Sequence, residues 1–167
     1  MPLKRIPPRI FDSRPLKSNR LESVRRYLVR HTTLSLATCQ DNRPWSTDLF
    51  YASDDSCRLY FISDVTTRHC QDIAANPQVS VSISGQCAGW QEITGLQLDG
   101  VAEIVSGADR DQVMELYLTK FPELKRLHQA SKLLKPLLES SVYRISPRWV
   151  RLIDNSKGFG HKEEMVF

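Results

Sequence analysis

Apolar positions change their period several times along the chain, and each change marks an element. Leu21, Val24, Tyr27 and Leu28 recur at three- and four-residue spacing, which predicts a helix from about Asn19 to His31. Asn19 with Glu22 three residues on resembles a capping box at its start. After Thr32 the period falls to two. Leu34, Leu36 and Thr38 alternate with Ser35, Ala37 and Cys39, and Asp41-Asn42-Arg43-Pro44 follows with turn chemistry. Trp45–Ala52 and Cys57–Ser63 are further strands separated by Ser53-Asp54-Asp55-Ser56, so the three together predict an antiparallel meander.

Thr66 and Thr67 are placed to cap a short helix from Arg68 to Ala75, stopped by Asn76-Pro77. Val79, Val81 and Ile83 alternate with serines. A polar loop holding Trp90 separates that strand from a long one, Ile93–Val105, in which Leu96, Leu98, Ala102 and Ile104 share a face and Gly95 and Gly100 suggest bulges. A broad apolar helical face runs from Val113 to Phe121. Pro122 interrupts it, and a second helical piece reaches towards Pro136 before strand spacing returns over Val142–Asp154. The domain plan is a Pro-containing arm over 1–17, then one domain over 18–167 with a helical insert near 107–138. The fold class is mainly β with helices. Strands joined by hairpins cannot build a parallel dinucleotide fold, so the sheet must close or pack on itself as a small antiparallel barrel.

Composition adds limits. The 167 residues are 41% hydrophobic and 25% charged, ordinary values for one globular domain. No apolar stretch approaches the ~20 residues of a membrane span, so no membrane partner is expected. The first residues are basic and Pro-rich rather than apolar, and the four cysteines lack any CxxC pair. Reduced thiols and a cytoplasmic location are the expectation, with Cys39, Cys57 and Cys87 in the core. The net charge of +4 is concentrated at one end: Lys4, Arg5, Arg9, Arg14, Lys17, Arg20, Arg25, Arg26 and Arg30 face only Asp12 and Glu22 within residues 1–30. A basic arm can track phosphates, but only Phe11 and Tyr27 stand among the charges, too few aromatics for a stacking platform, which argues against single-stranded nucleic acid as a partner.

Candidate chemistry gathers at Tyr60–His69. A strand runs into a turn and at once starts a helix bearing two hydroxyls and a guanidinium, the makings of a phosphate site. With Ile73–Pro77, Val79–Ile83 and Leu96–Ala102 in the same order, the segment resembles the FMN-binding split-barrel family related to pyridoxamine 5′-phosphate oxidase. Ile93–Gly100 and the tail Asp154–Lys162 resemble its YhbP-like bacterial group. The resemblance covers roughly residues 20–163.

It implies a six-stranded antiparallel split β-barrel, a homodimer, and FMN in two clefts at the subunit interface. Thr67 and Arg68 match the family's phosphate-gripping group, and His69 stands where Lys is usual. Ile62 and Ser63 match the end-of-strand pair that meets the flavin, and Ser46, Thr47, Asp48, Leu49 and Phe50 lie on the strand behind the ring. Trp149, Phe159 and Lys162 are candidates to reach the cleft from the partner subunit. Ser46-Thr47-Asp48 replaces the oxidase's Arg and apolar residues, and the oxidase's C-terminal Arg and His pattern has no match. The implied activity is therefore a flavin-dependent oxidoreductase of unknown substrate, with no catalytic acid or base singled out. Two alternatives stand beside it: a non-enzymatic barrel holding haem, with His161 or His69 as axial ligand, and a nucleic-acid-associated barrel using the arm. The histidines and cysteines lack metal-ligand spacing, so no metal is expected.

Overall fold

The computed structural model describes residues 18–124 and 139–167. The basic arm over 1–17 and most of the second helical piece fall outside the described residues. Helix α1 (Ser18–Arg30) is followed by β1 (Thr33–Gln40), β2 (Arg43–Phe50), the short β3 (Ala52–Ser53) and β4 (Leu59–Ser63). Then come α2 (Arg68–Ala75), β5 (Gln78–Ser84), β6 (Thr94–Val105), α3 (Ala108–Lys120), β7 (Ser141–Asp154) and β8 (Lys162–Val166). Single 3₁₀ turns, Trp90–Glu92 and Asn155–Lys157, precede β6 and follow β7. Helix α1 already includes Asn19, whose carbonyl accepts the Ser23 hydroxyl, so Asn19 is not its cap.

All strands join one antiparallel sheet in the order β2-β1-β5-β6-β7-β4-β3, with β8 on β7, curled into a half-barrel. Six strands match the sequence pattern; β3 and β8 are short additions. The expected meander does not form, because β2 pairs only with β1 and remains an edge while β4 pairs with β3 and β7. The chain breaks at Tyr51. Tyr51 is fully buried, its backbone N–H donates to Thr32 O and its hydroxyl to Leu28 O, so the backbone crosses under α1 instead of turning back beside β2.

One core fills the curl. Val24 and Leu28 of α1 and Cys70 and Ile73 of α2 meet the inward residues Leu34, Leu36, Phe61, Val81, Leu96, Leu98, Ile145 and Val150. A second layer lies outside, where α3 lays Val113 and Met114 on Tyr60, Val105 and Val142. That cover explains one departure from the pattern. Val105 is buried against α3, whereas Ile104, expected to share the inward face of Leu96 and Leu98, is 55% exposed. Strands β6 and β7 slip register between Asp99 and Gly100, and a β-carbon on Gly100 would collide with the Ser146 carbonyl. Cys57 and Cys70 are buried, Cys39 is half-buried and Cys87, expected in the core, is exposed on the loop after β5.

Candidate functional site

The end of β4 and the start of α2 form a compact polar knot. Ser63 closes β4 and its hydroxyl lies 2.8 Å from His69 Nε2 and 3.3 Å from Thr67 Oγ1. Thr67 occupies the N-cap position of α2, but its hydroxyl donates backwards to Asp64 O at 2.8 Å and does not cap the helix. Thr66 does not cap it either; its hydroxyl and its N–H both donate to Asp64 Oδ1, at 2.7 Å each. These bonds draw the carboxylate into the turn and hold its carboxyl below the usual range. The first-turn N–H groups of α2 thus receive no side-chain cap and point the positive end of the helix outwards.

Arg68, the first helical residue, lays its guanidinium 4.3 Å from the Trp45 ring centre and so bridges α2 to the exposed edge strand β2. His69 is buried behind the two hydroxyls rather than beside Arg68 at the surface, its ring 6.2 Å from Phe61. Phe61 in turn stacks flat on Tyr143 at 5.0 Å. Burial pushes the Cys70 thiol up, but hydrogen bonds from His69, Thr67, Tyr143 and Ser63 outweigh it and hold the thiol below its ordinary value. Behind α2, Thr38 of β1 donates to Asp72 at 2.7 Å with both residues buried, pinning the helix to the sheet.

The other candidate residues divide into two regions. Ser46 and Asp48 are exposed on β2, with Asp48 accepting the Ser35 hydroxyl at 2.5 Å; Thr47 and Leu49 are half-buried, and Phe50 is 60% exposed with its ring edge-on to Phe121. Ile62 points to the opposite side of β4 from Phe61, packing among the α3 residues. Trp149, Phe159 and Lys162 lie elsewhere. Trp149 is half-buried opposite Val166, with Arg151 over its ring at 4.9 Å, and Lys162 pairs with Ile153. Phe159 is 84% exposed and packs edge-on against Trp90 at 5.5 Å. Buried Asn155 holds that corner together: its Nδ2 donates to Trp90 O, its Oδ1 accepts Gly160 N–H, and its N–H donates to Ile93 O.

Two contributors to the knot had escaped the sequence reading. Asp64, two residues before Thr66, carries the spacing of a side-chain-stabilised turn and could have been found that way. Trp45 carried no local signal, since its contact with Arg68 spans two separate elements.

The family model for pyridoxamine 5′-phosphate oxidase matches residues 21–154. The chain belongs to that family. It is 27% identical over 143 residues to the UPF0306 protein YhbP of Salmonella schwarzengrund, covering 85% of this chain and 90% of that one. Among solved structures, a putative pyridoxamine 5′-phosphate oxidase from Listeria innocua superposes with a TM-score of 0.64 at 19% identity, over 80% of this chain and 97% of that one. A heme binding protein from Mycobacterium smegmatis superposes with a TM-score of 0.70 at 18% identity, over 91% of this chain and 60% of that longer one. These likenesses are to the fold.

Proposed function

We propose that the protein is a homodimeric flavoprotein that binds FMN between protomers and serves as a flavin-dependent oxidoreductase. The observation that carries the reading is the uncapped N-terminus of α2, with Ser63, Thr67 and Arg68 around it and the exposed strand β2 beside it. Bound there, FMN would supply the redox chemistry, and the protein would supply position and charge. Arg68 and the first-turn amides neutralise a phosphate. Ser63 and Thr67 offer hydroxyls to the phosphate or the ribityl chain, and buried His69 sets the direction of both. Residues Ser46–Phe50 back the ring, while Trp149 and Lys162 stand on β7 and β8, four and five strands from β2 in the sheet order, and Phe159 on the loop between them. Their contribution would come across a two-fold interface built on the open edge of β2.

A haem-holding barrel is the second reading, favoured by the likeness to the Mycobacterium smegmatis protein named for haem binding. The histidines fit it less well. His69 Nε2 is already engaged by Ser63 and Thr67, and His161 Nε2 lies 3.5 Å from Glu163. An absorption spectrum recorded before and after loading with FMN and desalting separates the two. Twin flavin bands with quenched fluorescence support the flavin reading, whereas a Soret band from the protein as purified supports the other.

A further inference from the structure

Arg68 and Trp45 meet across two elements that the fold locks together at that point. Four residues after Arg68, about one turn along α2, Asp72 accepts the Thr38 hydroxyl at 2.7 Å with both residues buried. One turn further, Asn76 Nδ2 donates to Cys39 O at 2.9 Å. Thr38 and Cys39 are successive residues of β1, and their partners on β2 are Trp45 and Pro44. Directly opposed residues of an antiparallel pair project to the same side of the sheet. The Trp45 ring therefore stands on the side that Thr38 turns towards α2, as a platform fixed to the helix whose first guanidinium lies over it, 4.3 Å from the ring centre.

Arg68 is otherwise uncommitted. It is exposed and makes no ion pair among the described residues. Asp64 and Asp72, the acidic residues nearest to it in sequence, are engaged by Thr66 and Thr38. An arginine in that state loses rotamer freedom when it closes on an anion. Attraction between the guanidinium and the indole face removes part of that loss beforehand.

We propose, building on the flavin reading, that Trp45 is a positioning residue: it holds the Arg68 guanidinium at the N-terminus of α2 ready for the phosphate group of FMN. The effect reaches the phosphate alone, so it favours the phosphorylated cofactor over its dephospho form.

The test is titration of the full chain with FMN and with riboflavin, followed by quenching of flavin fluorescence. Riboflavin has the same ring and ribityl chain without the phosphate. Trp45→Leu should raise the Kd for FMN by about two- to fivefold and leave that for riboflavin unchanged. Trp45→Phe, which restores an aromatic face, should recover most of the loss. With Arg68→Ala already in place, Trp45→Leu should weaken FMN no further, because a residue that acts through Arg68 has nothing left to position. A side chain that only shapes the edge strand would weaken both flavins alike, with or without Arg68. Equal FMN affinity in Trp45→Leu, an equal loss for riboflavin, no recovery in Trp45→Phe, or a full further loss in the Arg68→Ala background would overturn the role of Trp45 and leave the flavin reading standing. A native chain that quenches neither flavin would overturn both.

Discussion

Arg68 lies over the Trp45 ring, and on the flavin reading it faces the phosphate. Arg68→Ala should weaken FMN binding by about 1.5–3 kcal/mol, the worth of a charge-assisted hydrogen bond, read from quenching of flavin fluorescence on titration. Unchanged affinity would remove the phosphate from this end of α2. Thr38 makes a separate point about stability. Replacing it with Val keeps the volume but leaves a buried Asp72 oxygen without its donor, so the urea midpoint should fall by an amount worth about 1–3 kcal/mol. Both residues were open to very different degrees of inference. Arg68 stood in a recognisable strand–turn–helix signature. Thr38 looked like one more residue of an alternating strand, because a bond across 34 positions leaves no local trace.

At the scale of elements, alternation made β1, β5 and the inward face of β6 legible, since one side of each strand faces apolar core and the other does not. It failed where that contrast is missing. Strand β2 is exposed or half-exposed at every position, so nothing in its pattern fixes its neighbours, and β8 buries only Met165 among charged residues. The slip at Gly100 was signalled by the glycine alone. Gly100→Ala would drive a methyl into the Ser146 backbone and should destabilise the fold by about 2–4 kcal/mol in chemical denaturation.

Helix α3 is tied down by Lys120, whose ammonium lies 3.9 Å from the Tyr51 ring centre and donates to Leu28 O at 3.0 Å. Burial pushes its pKa down from 10.5 to about 8. In the unfolded chain Lys120 therefore holds its proton to higher pH than in the fold, and its contribution to stability rises as pH climbs from about 8 towards 10.5. The stability of the native protein minus that of Lys120→Met, measured in urea at both ends of that window, should grow with pH. A flat difference would show the amine to be charged in the fold throughout.

The whole molecule leaves an edge strand open, with Trp45 and Phe50 exposed on it, a feature that soluble proteins normally cover or charge. On the flavin reading a second copy covers it. Sedimentation should then give twice the 19.2 kDa chain mass, and Phe50→Asp should shift the protein to the single-chain mass and abolish flavin retention together. The barrel itself was readable from hairpin spacing and the family resemblance. The separation of the Ser63–His69 knot from the Asn155 corner was not, because that depends on how far β7 runs from Ser141 to Asp154.

Asn155 has a consequence in time as well as in space. One buried amide joins the turn before β6 to the loop after β7, so neither can open without breaking the other's bonds. In deuterated solvent the backbone amides of Ile93, Asn155 and Gly160 should therefore lose their protons at a common rate, as one cooperative unit. Asn155→Ala should accelerate all three while leaving the central amides of β6 at the rate of global unfolding.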